Sequence, residues 1–279
     1  MENIRHPALF LLLTVCTVPA CSLWDGIRQH GIPSSLLQQT ATPTSEDTAL
    51  LGYVQRLETR PDDSDALLQI GKIHEGRGNH ELARTAFSMA YQQTPDNTEV
   101  QEHLGLIELE MKNWKEAGRY LSPLAGPAQT NWRVLNGMGL MEDHQGHHQE
   151  AQAYFRRALA ARPEHAQILC NLGYSQYLDG HPDEAILSLD RAIALAPHLE
   201  QAWLDKGFIL AQQDRYDASL EAFLHALAPA DAHNNLGYIL MKKGHMDMAR
   251  EHLERAIELS PVYHQLANEN LQHLRSLAW

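Results

Sequence analysis

A period of 34 residues runs through most of the chain and constrains its fold more than any other feature. Five glycines lie 34 residues apart and a sixth follows 30 residues after them: Gly71, Gly105, Gly139, Gly173, Gly207 and Gly237. A fixed period of this size is typical of stacked repeats, in which each unit buries its apolar face against its neighbours. The period therefore predicts a series of similar structural units rather than one mixed globular core.

Other positions of the unit repeat with the glycine. A small residue follows twelve places on and a large apolar residue sixteen places on: Ala83, Ala117, Ala151, Ala185, Ser219 and Ala249, then Phe87, Leu121, Phe155, Leu189, Phe223 and Leu253. Small residues allow two helices to approach closely, and the large ones fill the space between units. Four further glycines are placed to end first helices in a left-handed C-cap: Gly78, Gly146, Gly180 and Gly244. The stretch Asn113–Glu116 has the pattern of a capping box, and Pro182 suits the first position of a helix.

This pattern resembles the tetratricopeptide repeat, in which each unit is a helix-turn-helix. The resemblance predicts an all-α superhelical solenoid of about six repeats, with an N-terminal half repeat and a C-terminal capping helix. The predicted units are residues 64–97, 98–131, 132–165, 166–199, 200–229 and 230–263. Since the fifth unit is four residues short, we expect a tighter turn at Ala228–Asp231.

The N-terminal segment predicts export and attachment to a membrane. Residues 1–20 hold Arg5 and then an apolar run too short to span a bilayer, which is typical of a signal peptide. The last residues, Val18–Cys21, resemble a bacterial lipobox, which implies that Cys21 is lipidated; ordinary cleavage after Ala20 is the alternative. In lipoproteins of that kind an Asp after the cysteine retains the protein at the inner membrane, so Ser22 favours the periplasmic face of the outer membrane. Residues 21–47 then form a flexible tether, and residues 48–279 form the repeat domain.

Composition excludes several functions. The formal net charge of −13 argues against nucleic acid and against electrostatic binding to anionic lipid. No phosphate loop, catalytic triad or paired-carboxylate site stands out, so we expect a non-enzyme with no cofactor and no small-molecule substrate. The 17 histidines, densest in Asp143–His148, fall largely at turns, and we expect no metal site. Cys170, the one cysteine left beyond Cys16 and Cys21, is expected to act as a small apolar residue.

The first helices of the repeats are expected to line a groove that binds a protein partner through a peptide segment. The repeated phrase "NLGY", which ends at Tyr174 and again at Tyr238, places a carboxamide and an aromatic ring on one helix face. The alternative is that these side chains only pack against neighbouring helices. The predicted groove residues are Asn171, Tyr174, Tyr177, Asp205, Phe208, Asn234, Asn235, Tyr238 and Met241.

The sequence of the C-terminal repeats resembles one particular family. A short fifth unit, then "NNLGY" and "LSP" with an aromatic residue, is similar to the TadD family of tight-adherence (Flp) pilus assembly lipoproteins, in residues 230–274. That resemblance implies a scaffold or pilotin that binds a secretin or pilus assembly component. A type IV pilus pilotin is the first alternative. A general periplasmic chaperone or envelope adaptor for unfolded chains is the second.

Overall fold

The computed structural model describes residues 45–260, 262 and 264–277. The predicted signal peptide, Cys21 and the tether up to residue 44 lie outside these residues. Within them the secondary structure is helical throughout, and the helices are α1 Ser45–Thr59, α2 Ser64–Gly76, α3 His80–Gln93, α4 Thr98–Glu110, α5 Trp114–Leu121, α6 Trp132–Gln145, α7 His148–Ala161, α8 Ala166–Leu178, α9 Pro182–Leu195, α10 Glu200–Gln212, α11 Tyr216–Ala226, α12 Pro229–Lys242, α13 Met246–Leu259 and α14 Gln265–Leu277. A 3-10 helix, Ser122–Leu124, follows α5. The predicted all-α repeat fold is confirmed.

The helices belong to two compact units, which divide after Gln93: α1 to α3 form the first and α4 to α14 the second. In the first unit, α1 packs on α2 as the predicted N-terminal half repeat, and α2 with α3 forms the first complete repeat. The guanidinium of Arg56 on α1 pairs with the carboxylate of Asp63, the N-cap of α2, at 2.9 Å. The Arg77 guanidinium after α2 reaches back to Asp47 on α1 at 2.8 Å. Ion pairs therefore tie the half repeat to the first repeat.

In the second unit, α4 to α13 form five helix pairs and α14 closes the series. The first helices α4, α6, α8, α10 and α12 lie next to one another in that order, and α14 continues the row after α12. Helix α14 buries Ala267, Leu271 and Leu274, and its apolar side joins the cluster of α12 and α13. The predicted capping role of this last helix is confirmed, since it covers the apolar side that a further repeat would otherwise cover.

Each repeat is held by a close contact between the repeated glycine and the large apolar residue sixteen places on. A Cβ atom built on Gly139 would stand 2.4 Å from Cε1 of Phe155, and one on Gly207 would stand 2.7 Å from Cδ1 of Phe223. These large side chains are buried, and they pack on the glycine of their own repeat. The glycine is therefore required because the space of a methyl group is already taken by a core side chain.

In every repeat, the turn between the two helices contains a residue in the left-handed conformation. The four predicted glycines have φ between 71° and 86°, as expected for C-caps: Gly78, Gly146, Gly180 and Gly244. In the second and fifth repeats the same conformation is adopted by Lys112 (φ 61°) and Asp214 (φ 63°). Asp214 is held there by an ion pair with Lys243 at 2.6 Å and a hydrogen bond from the Tyr216 hydroxyl at 2.6 Å.

The second repeat departs from the prediction in two ways. Its second helix, α5, has 8 residues where α7 and α9 have 14. Pro123 in the 3-10 helix and Gly126 just after it do not suit a continued α-helix. The predicted capping box at Asn113 is wrong. Asn113 is the N-cap residue, but its side-chain oxygen accepts no capping bond; its Nδ2 donates to Oε2 of Glu108 at 2.7 Å.

Two other local predictions are confirmed. Pro182 is the first residue of α9. The connector after α11 is short, as expected, but it consists of Leu227 and Ala228, since Pro229–Asp231 of the predicted turn already form the first turn of α12. The corresponding connector between α9 and α10 has four residues, 196–199.

We expect Gly139→Ala to lower the free energy of unfolding by about 1–3 kcal/mol, because the added methyl group would overlap the buried ring of Phe155. Urea-induced unfolding followed by circular dichroism measures this. Gly52→Ala in α1 is the matched control, since nothing lies within 4 Å of its Cβ position. That change should raise stability by up to about 1 kcal/mol. Equal stability of the Gly139 variant and the wild type would show that the contact does not constrain the repeat.

Candidate protein-binding face

The nine predicted groove residues lie on three neighbouring helices of the second unit. Helix α8 carries Asn171, Tyr174 and Tyr177, α10 carries Asp205 and Phe208, and α12 carries the other four. Because α8 contacts α10 and α10 contacts α12, these residues belong to one continuous row of helices. The partly exposed side of α8, α10 and α12 is called the first-helix face below.

Aromatic rings run across the first-helix face. Tyr174 and Tyr177 on α8 have ring centroids 6.3 Å apart, and Tyr177 meets Phe208 of α10 edge to face at 5.5 Å. On α12 the Lys242 ammonium lies 5.7 Å from the ring centroid of Tyr238. All four rings are half-buried, and burial raises the pKa of the Tyr177 hydroxyl. The rings are fixed by their neighbours and still present part of their surface to solvent.

Polar side chains link α6 to α8, α8 to α10 and α12 to α14 in a ladder. In the first two of these links, a residue three places before the glycine of one repeat bonds to the residue two places before the glycine of the next repeat. Asn171 Nδ2 donates to Asn136 Oδ1 at 2.9 Å, and Cys170 Sγ donates to Asp205 Oδ2 at 3.3 Å. Asn270 on α14, a helix without the repeated glycine, donates to Asn234 Oδ1 at 3.0 Å across 36 positions. These three bonds are the rungs of the ladder.

The nine predicted residues differ in how much of each side chain is exposed to solvent. Asp205, Asn234 and Met241 are buried, with exposed fractions of 9%, 5% and 3%. The other six are half-buried: Asn171, Tyr174, Tyr177, Phe208, Asn235 and Tyr238. Inter-repeat packing, the alternative left open by the sequence, therefore accounts for the amides of Asn171 and Asn234 and the carboxylate of Asp205. A binding role for the nine residues stays a prediction.

The Cys170–Asp205 rung is the most enclosed polar contact on this side of the molecule. The Asp205 carboxylate accepts the thiol hydrogen bond and a second one from Gln201 Nε2 at 2.7 Å. Burial raises the pKa of Asp205 to about 6, although both hydrogen bonds act in the opposite direction. Burial and the neighbouring carboxylate both raise the pKa of the Cys170 thiol. Cys170 is 1% exposed and so fills a small buried space, as expected.

The histidines lie mostly at turns and helix ends. His148 begins α7 and contacts Asp143 at 2.9 Å, while His181 and His245 are N-cap residues. Nδ1 atoms of His233 and His252, on α12 and α13, are 3.0 Å apart and share a hydrogen bond. In residues 45–260, 262 and 264–277, no group of three or more histidine, cysteine or acidic side chains is arranged to hold a metal ion.

The ladder was missed by sequence reasoning, although a signal for it exists. Its first two rungs join residues 35 positions apart, which is one repeat plus one residue. Reasoning that treats each repeat as a copy compares residues 34 apart and does not pair these side chains. The pairing of Asn136 with Asn171 is therefore visible only when the structure places neighbouring helices together.

Comparison with known proteins agrees with the fold. The tetratricopeptide-repeat profiles match residues 48–98, 142–200 and 179–230, and a second profile of that repeat matches residues 230–263. No curated protein sequence matches the chain.

Solved repeat structures are similar at low sequence identity. The Cut9–Hcn1 hetero-tetramer of the APC/C aligns with a TM-score of 0.64 and 17% identity, over 82% of this chain and 46% of that one. A tetratricopeptide repeat protein from Parabacteroides merdae gives 0.58 and 14%, over 91% and 96%. PilF of Pseudomonas aeruginosa gives 0.55 and 19%, over 84% and 100%. The chain thus spans less than half of the first of these and nearly all of the other two.

We expect Asp205→Asn to change the pH dependence of stability. Because the folded protein raises this pKa from 3.8 to about 6, the carboxyl stabilises the fold fully below about pH 4, and that contribution is lost as the pH rises through 6. The stability of the wild type relative to the variant should therefore fall by about 2–3 kcal/mol between pH 4 and pH 7.5.

Urea-induced unfolding at both pH values measures this difference. Asp247→Asn is the matched control, since that side chain is 98% exposed and should give no such difference. Parallel pH profiles of the wild type and Asp205→Asn would show that the Asp205 carboxyl is not perturbed by burial.

Proposed function

Because the chain belongs to the tetratricopeptide-repeat family, we propose that it is a non-catalytic scaffold or pilotin that binds a protein partner on its first-helix face. In this proposal it is an outer-membrane lipoprotein, anchored through Cys21, that serves assembly of the Flp (tight-adherence) pilus or its secretin. The repeat fold itself is a scaffold suited to protein–protein interaction. The partner, the anchor and the pilus system are the proposed parts.

The observation that carries the binding site is the aromatic run from Tyr174 through Tyr177 to Phe208. Rings that are rigid and only half-buried provide contact area at low entropic cost, which is why aromatic residues are enriched at interfaces. The face continues to Tyr238 on α12, so it is long enough to contact several residues of a bound segment. A protein partner is therefore favoured over a small molecule.

Membrane attachment is proposed from the sequence. The segment Val18–Cys21 resembles a lipobox, and Ser22 after the cysteine favours the outer membrane. No helix of residues 45–260, 262 and 264–277 is long and apolar enough to cross a bilayer. Acyl chains on Cys21 would hold the repeat domain at the periplasmic face, since each buried CH₂ contributes about 0.8 kcal/mol.

The pilus role rests on the resemblance of residues 230–274 to the TadD family. PilF of Pseudomonas aeruginosa aligns with this chain over its full length at 19% identity, and that likeness carries the fold alone. A type IV pilus pilotin is the first alternative. A general periplasmic chaperone or envelope adaptor for unfolded chains is the second, and it would bind many partners through the same rings.

Photocrosslinking in cells distinguishes these functions. With p-benzoylphenylalanine in place of Tyr238, we expect one dominant adduct, to a secretin or pilus assembly component, because Tyr238 lies on the proposed face. The matched control places the same residue at Leu224, which is 43% exposed on the second helix α11 and should give no such adduct. A spread of unrelated envelope proteins from Tyr238 would overturn the pilus assignment and favour the chaperone.

The lipid anchor has its own test. We expect Cys21→Ser to abolish metabolic labelling with palmitate and to move the protein from the outer-membrane fraction to the soluble periplasm, since no acyl chain can then be attached. Cys170→Ser is the matched control and should keep both the label and the membrane location. Continued membrane association of Cys21→Ser would contradict anchoring through this residue.

A further inference from the structure

Helix α1 presents to solvent the side that the equivalent helix α3 buries. Ala49 on α1 lies one 34-residue period before Ala83 on α3. In the same way, Tyr53 lies one period before Phe87. Ala83 and Phe87 are 0% exposed because the first helix α2 covers them, whereas Ala49 is exposed and Tyr53 is only half-buried. The half repeat therefore leaves open the stripe of α1 on which a first helix packs in the complete repeats.

Two further observations place an open groove along this stripe. Gly52 stands one period before Ala86, which is 2% exposed, yet nothing lies within 4 Å of a Cβ atom built on Gly52. A groove of about 390 Å³ runs along α1 and α2, and its lining includes Tyr53 of α1 and Ile73 of α2. Ser45, the first described residue, also lines it. The groove therefore begins where the preceding chain enters α1.

The chain before α1 contains an apolar segment that suits this groove, residues 32–37 with the sequence "IPSSLL". Residues 31–44 contain no Asp, Glu, Lys or Arg, so burying part of them removes no charge from water. Residues 38–44 can span about 23–25 Å when extended, which exceeds the length of about 22 Å of the 15-residue helix α1. The segment can therefore reach any point of the groove.

We infer that residues 32–37 dock in this groove and place the side chains of Ile32, Leu36 and Leu37 on the open stripe of α1. Covalent attachment favours this occupant, because a short connection raises its local concentration to about the millimolar range. A second copy of the chain, or a segment of another protein, would have to bind from a far lower concentration. Burial of the apolar side chains supplies the free energy of docking.

The docked segment differs from the first helix of a complete repeat. Leu37 stands one period before Gly71, and a Cβ atom on Gly71 would already lie 2.3 Å from Cε1 of Phe87. A leucine in the same place would overlap the ring of Tyr53, which takes the position of Phe87 in the half repeat. The segment therefore lies further from α1 than a first helix would, and it fills the groove without adding a repeat.

Docking would shorten the connection between the repeat domain and the membrane. With Cys21 as the anchor, residues 22–31, rather than residues 22–44, would separate the lipid from the domain. For a random coil the mean reach falls from about 24–29 Å to about 16–19 Å. This consequence depends on the proposed lipid anchor, whereas the docking itself does not.

Intramolecular photocrosslinking tests the docking directly. With p-benzoylphenylalanine in place of Leu36 in the purified protein, we expect an adduct within residues 45–76, because α1 and α2 line the groove. Digestion and mass spectrometry locate the adduct. The matched control places the same residue at Leu23, another leucine of the predicted tether, and should give no adduct in that range. No adduct from Leu36, or the same yield from Leu23, would overturn docking of residues 32–37.

Hydrogen exchange measures how much the docked segment protects α1. Leu36→Ser combined with Leu37→Ser should speed amide exchange in α1 at least about threefold, because the helix then opens without breaking the apolar contacts. Leu23→Ser combined with Ile27→Ser is the matched control and should leave these rates unchanged. Ala49→Gln, which extends a polar side chain into the groove, should speed exchange to a similar degree. Adding it to the serine pair should have no further effect, since both changes remove the same contact.

The other outcomes separate the possible occupants of the groove. Unchanged exchange in the serine pair would overturn the docking. Additive effects of the serine pair and Ala49→Gln would show that the segment protects α1 from a place other than this groove. Adducts from Leu36 that join two chains, with α1 exchange that slows between about 1 and 100 µM protein, would assign the groove to a second copy. None of these results affects the Tyr238 crosslink, so failure of this inference is distinguishable from failure of the proposed function.

Discussion

The contact between a glycine and a large apolar side chain sets the distance between the two helices of every repeat. A Cβ atom at any of the six repeated glycines would come within about 3 Å of a buried Phe or Leu side chain or its neighbouring backbone. The first helix is thereby pressed against its partner, and its opposite side is free to face the first helix of the next repeat. The ladder and the aromatic run both depend on this placement, since each joins side chains of successive first helices.

The first-helix face combines polar groups that are hydrogen-bonded within the protein with aromatic rings that remain partly exposed. Asn171, Asn234 and Asp205 hold neighbouring repeats in register through hydrogen bonds. Tyr174, Phe208 and Tyr238 contact their neighbours and remain partly exposed. A partner that binds here meets a surface whose shape is fixed in advance, so little of its binding free energy is spent on ordering the protein.

The architecture was predictable from the sequence because its determinants are local and periodic. Glycine spacing, the left-handed glycines and Pro182 each act within one repeat, so a single unit contains the whole signal. The short length of α5 is harder to predict, because the signals from Pro123 and Gly126 oppose a strong repeat pattern. The capping box at Asn113 failed for a related reason. Its side chain bonds to Glu108 of the preceding helix and makes no capping bond, and a four-residue motif does not include that partner.

The candidate site was only partly predictable because its polar groups are shared between repeats. The helix face that carries Asn171 and Tyr174 follows from helical geometry. Which of its amides is satisfied depends on the neighbouring helix: Asn136 satisfies Asn171, while Leu204, at the corresponding place on α10, has no polar atom to bond to Asn235. Such distinctions require the register between helices. That register becomes visible as a 35-residue spacing only after one rung is known.

The ladder also gives the repeats an order. The rungs differ in their chemistry, since the Cys170 thiol is matched to the carboxylate of Asp205 and the Asn136 amide to the amide of Asn171. Units that look interchangeable by their glycines are not interchangeable at these edges. Exchanging two of them would place a thiol or a leucine opposite an amide that has another partner in the native chain. The hydrogen bonds between repeats therefore fix the order in which the helix pairs can stack.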